Sequence, residues 1–245
     1  MADILVSIQT RSRPDILDKS LSMFYGKCSN ANNFDMQLII DNDQIELYKG
    51  VIDKYPQIIK IYVEHQEASW LNIYIAQLNY AKEHDYYFLW NICDDIIGLS
   101  NNWDASILAT KNRFEDGLFA LYTQTIAYGR NQHDYSVCYS DPIGTTFHEC
   151  IPIITKKFSE FLAMFYQNQT EYIWGREVII SELIRILYVK YNEHRHVKSD
   201  VNYENITCSY TFNKMMYCMT ELTNRNFDEL YPIVDKIKEY IDSKK

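Results

Sequence analysis

The segment Tyr86-Tyr87-Phe88-Leu89-Trp90-Asn91-Ile92-Cys93-Asp94-Asp95 is an apolar, aromatic-rich run that stops abruptly at two adjacent carboxylates. A short apolar run bounded by polar residues reads as a buried strand. Acids at the end of such a strand sit at the sheet edge, where α/β folds place their ligands. Two neighbouring carboxylates repel each other unless a cation or a cationic ligand is close, so the pair suggests a divalent metal held by oxygen ligands. The plain alternative is a solvated turn after a strand. The order of the surrounding elements weighs against that alternative.

Before this segment the pattern alternates. Residues 3–9 form a β-branched apolar run, and Ser12-Arg13-Pro14-Asp15 reads as a helix start with Ser12 as cap and Pro14 in the first turn. Gly26 is the expected stop of that helix. Met36 to Ile40 reads as a second strand closing on Asp41-Asn42-Asp43, followed by a short helix over 44–54 and a third strand over 58–63. Ala68, Leu71, Ile75 and Leu78 recur at three- and four-residue spacing, which predicts an amphipathic helix over 67–83. The strand at 86–92 then completes β-α-β-α-β-α-β, the pattern of a mainly parallel sheet with helices on both faces. Beyond it, strands are predicted over 118–126 and 150–155, and helices over 156–167, 176–191 and 226–242. Residues 128–145 read as a Tyr-rich loop, and the chain from 191 to 200 as a polar one.

Composition narrows the functional classes. A chain of 245 residues that is 47% hydrophobic is globular and buries one sizeable core. No repeat or linker divides it, so a single domain is expected. The net charge of −9 argues against nucleic acid as the main partner, because phosphate backbones select basic surfaces. No apolar run approaches the roughly 18 residues that span a bilayer. The start, Met1-Ala2-Asp3-Ile4, has no basic segment and passes straight into a strand pattern, so neither a signal peptide nor a membrane span is expected. A cytoplasmic location follows as the expectation (the host cytoplasm, if the AT-rich flavour of the composition marks a virus). The six cysteines show no CxxC spacing and read as reduced thiols.

Ile4-Leu5-Val6-Ser7-Ile8-Gln9-Thr10-Arg11-Ser12-Arg13-Pro14 resembles the "apolar strand, Pro-Thr-Tyr-Asn-Arg-Pro" opening of family 2-like glycosyltransferases of the GT-A fold. Thr10, Arg13 and Pro14 match it, while Gln9, Arg11 and Ser12 depart. Leu38 to Asp43 looks like that family's second strand, whose terminal acids hold the nucleotide base and ribose. Asn72, within Glu67 to Ile73, is what matches of a Gly-x-x-x-Ala-Arg-Asn segment. Phe88 to Asp95 falls where the family carries Asp-x-Asp, with Cys93 in place of the first acid. The resemblance covers roughly residues 3–110, and it rests on order and spacing more than on identity.

It implies a single GT-A domain, with a nucleotide-binding half over about 1–110 and an acceptor-binding half over about 111–245. The implied reaction is transfer of a sugar from a nucleotide-diphosphate donor to a hydroxyl of a glycan, lipid-linked or protein acceptor, by metal-assisted and inverting displacement. Asp95, with Asp94, would hold Mn²⁺ or Mg²⁺ against the diphosphate. Asp41, or Asp43, would accept from the base or ribose, and Thr10 and Arg13 would touch the base or phosphate. Inversion needs a general base. Glu177, in the first turn of a helix after Trp174-Gly175, occupies the family's position for it; complementing the helix dipole is its alternative role. His196, in the polar loop, is the candidate for a further metal ligand, and a solvated histidine is its alternative. Two other readings stay open. A nucleotidyltransferase uses a similar sheet and metal site, although Gln9-Thr10-Arg11-Ser12-Arg13 lacks the glycines of its phosphate loop. A binding module of the same fold without turnover is the other.

Overall fold

The computed structural model describes residues 2–64, 70–128, 135–139, 152–166, 176–206 and 228–245. Its strands are β1 (Ile4–Thr10), β2 (Phe34–Asp41), β3 (Ile59–Val63), β4 (Phe88–Cys93), β5 (Ile96–Leu99), β6 (Ala120–Tyr128), β7 (Tyr135–Tyr139), β8 (Ile153–Thr155) and β9 (His196–Ile206). They form one sheet in the order β3-β2-β1-β4-β8-β6-β9-β5, with β7 paired to β6 beyond the short β8. β3, β2, β1 and β4 run parallel, so Thr10, Asp41 and Cys93 end at one common edge. β8 is antiparallel to both β4 and β6, which makes β6 and its parallel partner β9 run in the direction of β4.

The helices are α1 (Pro14–Lys27), α2 (Ile45–Lys54), α3 (Trp70–Glu83), α4 (Trp103–Leu108), α5 (Lys156–Tyr166), α6 (Arg176–Tyr191) and α7 (Tyr231–Asp242). They cover the sheet on both faces because alternate strand residues point to opposite sides. Ile4, Val6 and Ile8 of β1, with Phe88, Trp90 and Ile92 of β4, meet Leu17, Leu21 and Phe24 of α1 and Trp103 of α4. Leu5 and Leu89 point the other way, into a second core built with Phe158 of α5, Leu183 of α6 and Val234 of α7. Within the first core, Phe24 packs edge-on against Trp90 and Trp103, and the Trp103 indole N–H donates to the Phe24 carbonyl at 3.1 Å. This aromatic knot fixes α1 over β4, and therefore fixes the loop before α1 over the end of β4.

The predicted alternation through β4 is observed, with ends that differ by a few residues. Ser12 does not cap α1. Its φ is +59°, in the left-handed region, its hydroxyl donates to Gln44, and Arg13 holds the cap position. Nor does Gly26 stop the helix, which runs through it to Lys27. Two segments read as loops contain strands, β7 within 128–145 and β9 from His196 onward. β9 is legible in hindsight, since Ser199, Val201 and Tyr203 are buried while Lys198, Asp200 and Asn202 are exposed. That is a strict two-residue alternation.

One buried carboxylate secures the region between α1 and α4. Asp104 has no exposed surface and accepts from the Ser29 N–H at 2.6 Å, the Ser29 hydroxyl at 2.7 Å, the Asn30 N–H at 3.1 Å and the Asn33 amide at 2.8 Å. Burial pushes its carboxyl up, but these bonds outweigh burial and hold it below its ordinary value. Its stabilisation is therefore complete above the unfolded carboxyl pKa of about 4 and is lost as pH falls below it. Asp104→Asn is expected to lower unfolding free energy at pH 7 by about 2–4 kcal/mol. In urea titrations the gap to wild type should narrow as pH drops below about 4.

Candidate functional site

The common edge of β1, β2 and β4 gathers four acids and two arginines. Asp41 ends β2, with Asp43 just beyond it; Asp94 and Asp95 follow β4; Arg11 and Arg13 follow β1. Because β1 lies between β2 and β4, its terminal loop stands between the two acidic pairs. Ser12, with its left-handed backbone, separates the two arginines, and each turns to a different pair. Arg11 donates to Asp41 at 2.5 Å and grips Asp43 with both guanidinium nitrogens at 2.9 and 2.8 Å. The bonds to Asp43 first, then to Asp41, raise the guanidinium pKa above its ordinary value. Arg13 pairs with Asp94 and also lies 3.5 Å from Asp95.

Asp94 is fully buried, and the chain supplies its partners from three elements. The Thr10 hydroxyl donates to Asp94 Oδ2 at 2.5 Å. A hydroxyl has one proton, so Thr10 accepts from the Tyr48 hydroxyl 2.7 Å away, and Tyr48 in turn accepts from the Arg13 N–H at 2.9 Å. Tyr48 belongs to α2, so this chain of bonds ties α2, the β1 loop and the end of β4 together. Ser20, a buried polar residue on the core face of α1, donates towards the carbonyls of Asp94 and Ile96 at 2.9 and 2.8 Å and pins the turn between β4 and β5. Burial pushes the Asp94 carboxyl up to about 6 against the pull of Arg13 and Thr10. Burial also pushes Asp95 up, and Arg13 again opposes.

The donor set suits a hard divalent cation only in a particular way. Asp95 Oδ1 is a buried oxygen with no hydrogen-bond partner, and the remaining donors are carboxylate oxygens, the type Mg²⁺ and Mn²⁺ prefer. Among the described residues no cluster of three or more His, Cys, Asp or Glu side chains is placed to hold a metal. Asp95 and Asp94 thus fit a cation that takes its other ligands from water and phosphate, as Mg²⁺ usually does. His196 does not share this site. It opens β9 in the row of Ala120, Ile154 and Leu89, three strands from β4. Leu89 precedes Asp95 by ~20 Å of strand at about 3.3 Å per residue, so His196 lies at the far edge of the sheet. Glu177 is the second residue of α6, as expected, while Trp174 and Gly175 lie outside the described residues.

Three contributors were not singled out from the sequence. Arg11 counted as a departure from the family opening, yet it closes on both acids of β2. Tyr48 sits among ordinary helix residues and offers no sequence signal. Ser20 reads as an ordinary helix serine, and only its bonds to the carbonyls of Asp94 and Ile96 mark it.

The fold is GT-A-like. No family model matches the sequence, and no curated protein matches it either. Among solved structures, the chain is similar to residues 1–349 of TarS from S. aureus, at 14% identity over 94% of this chain and 67% of that one, with a TM-score of 0.56. The same segment in complex with UDP matches at the same identity and score. A longer TarS structure matches at 15% identity and a TM-score of 0.52, and the chain spans 41% of its length. At such identities the likeness establishes a shared fold.

Asp94 also fixes a dependence on pH. Its folded pKa lies above its unfolded value, so its contribution is fully present below about 4 and is lost as pH rises through about 6. In metal-free urea unfolding, wild type should lose about 2 kcal/mol relative to Asp94→Asn between pH 4 and pH 7. The difference should then stay flat to pH 8. A constant difference over the whole range would refute the assignment.

Proposed function

We propose that this chain is a glycosyltransferase that moves a sugar from a nucleoside-diphosphate donor to a hydroxyl acceptor, with inversion. One observation carries the reading: a single sheet edge of the GT-A fold presents two separate acidic pairs, at the ends of β2 and β4, on either side of an arginine-bearing loop. Such an edge matches the two ends of a sugar nucleotide. Asp41 and Asp43 would accept hydrogen bonds from the base and ribose once Arg11 yields them. Thr10, Arg11 and Arg13 would orient the diphosphate, a geometry that guanidinium groups suit. Asp95 and Asp94 would hold Mg²⁺ or Mn²⁺, which when bound offsets the charge that develops on the leaving diphosphate. Glu177, at the start of α6, would take the proton of the acceptor hydroxyl as general base. The nucleotide half would then span about 1–110 and the acceptor half about 111–245, and the acceptor would be a glycan, a lipid-linked sugar or a protein. The neighbour solved with UDP makes a uridine nucleotide the first donor to try.

Two measurements test this. In a thermal-shift panel of UDP, GDP, CDP and dTDP with and without Mn²⁺, one nucleotide should raise the midpoint, and Asp41→Asn should weaken its binding about tenfold or more. With the corresponding nucleotide sugar, wild type should release nucleoside diphosphate. Glu177→Gln should lower that rate about 100-fold or more while donor binding is kept. Release of pyrophosphate from a nucleoside triphosphate would instead establish a nucleotidyltransferase, and binding without turnover a binding module.

A further inference from the structure

We infer that Arg13 is the resident counter-cation of the Asp94–Asp95 pair, and that a divalent cation enters by displacing its guanidinium. Asp94 Oδ1 takes its bond from Arg13 and Asp94 Oδ2 from Thr10 at 2.5 Å, while Asp95 Oδ2 lies 3.5 Å from Arg13 Nη1. Asp95 Oδ1 is buried with no hydrogen-bond partner, and the other three oxygens of the pair face Arg13 or Thr10. One buried oxygen is a poor seat for a cation that wants six. Any second oxygen from this pair must come from those that Arg13 and Thr10 occupy. Thr10 is itself buried and locked to Tyr48, whereas the Arg13 side chain is 37% exposed. Arg13 is therefore the group that moves.

The backbone allows that movement at little cost. The Arg13 N–H is held by Tyr48, the Arg13 carbonyl accepts the Leu17 N–H at 3.0 Å, and Pro14 follows. The exchange is thus a rotation of one side chain about a fixed Cα. Leaving Asp94 without a positive partner would be expensive, because a buried carboxylate stripped of its counter-charge costs several kcal/mol. The guanidinium consequently leaves only as another cation arrives. Once released, it would stand beside the metal, where its planar fork suits a phosphate group. Arg13 then sets the affinity of the site for cation alone and couples cation entry to the arrival of an anionic ligand.

This inference rests on the donor-site reading only in taking the acid pair as a cation site, and its test uses Mn²⁺ without nucleotide. Mn²⁺ binding is followed by electron paramagnetic resonance and calorimetry for wild type, Arg13→Gln and Arg13→Gln/Asp95→Asn. A site open in a tenth or less of the molecules binds with its affinity lowered by that fraction, so Arg13→Gln should bind Mn²⁺ about tenfold or more tightly than wild type. The double variant should lose that gain. A second readout uses wild type itself, with ¹⁵N-labelled arginine and diamagnetic Mg²⁺. Saturating Mg²⁺ should move the Arg13 Nε resonance to the position of a solvated guanidinium while Arg11 stays in place. Equal Mn²⁺ affinity in wild type and a folded Arg13→Gln would overturn the inference. So would an unmoved Arg13 resonance under bound Mg²⁺, or no cation binding in any variant. UDP binding measured on the same samples reports separately on the donor reading.

Discussion

A carboxylate with no exposed surface stands at the end of β4, and much of the local structure exists to make that tolerable. Taking such a charge out of water costs several kcal/mol unless counter-charge and hydrogen bonds replace the solvent. Here two groups meet the carboxyl itself, and two more hold those groups or its backbone in place. Thr10 ends the neighbouring strand, Arg13 sits at the cap of α1, Tyr48 reaches over from α2, and Ser20 holds the chain just past β4. They come from β1, α1 and α2, so Asp94 adds a polar tie between these elements and the end of β4 to the one that apolar packing makes. Ser12 bears part of the burden. Its left-handed backbone is a strained conformation for a residue with a side chain, by ~1–2 kcal/mol, and it is what lets two arginines in one short loop point apart.

The first half of the fold was legible because its signals are local. β1, β2 and β4 are nearly continuous apolar runs, as strands buried on both faces must be, and the helices between them carry their own periodicity. The second half depends on contacts across long stretches of sequence. β9 is a half-exposed strand paired to β6 and β5, and its alternation of Ser199, Val201 and Tyr203 with polar residues was masked by its overall polarity. β7 lies in a stretch where tyrosines and small polar residues read equally well as loop. The Ser12 cap failed for a different reason. Cap preference is a local tendency, and here the demand for two diverging guanidiniums, with the Ser12 hydroxyl drawn to Gln44, overrode it.

The site was legible in its acids and illegible in its partners. Asp41, Asp94 and Asp95 announce themselves by ending apolar strands. Tyr48 does not, because a tyrosine on a helix is nearly always a packing residue, and only its hydroxyl, 2.7 Å from Thr10, distinguishes it. Arg11 was visible as a departure from a familiar opening, and departure was the informative part. His196 shows the converse hazard. Proximity to the other candidates could not be judged from sequence distance, and the sheet carries it to the opposite edge.

The two arginines are not equivalent, and the difference follows from the burial of their partners. Arg11 grips Asp43, whose side chain is 52% exposed, so that part of its clasp exchanges with water at little free-energy cost. Arg13 grips Asp94, whose side chain has no exposure at all, so opening that pair without a substitute cation leaves a buried charge uncompensated. One short loop therefore presents, over the end of β2, a clasp that is loose on Asp43 and closed on the nearly buried Asp41, and a tight one over the end of β4. A ligand that carries only hydrogen-bonding groups can open the Asp43 side of the first but has nothing to offer the second. In the exchange proposed above, a ligand that arrives with its own positive charge would replace Arg13 and leave the guanidinium beside it rather than lost to solvent. The contrast between Asp43 and Asp94 comes from depth of burial, and under the proposed exchange it would make the β4 end answer to a cation in a way that the count of acids at the edge would not suggest.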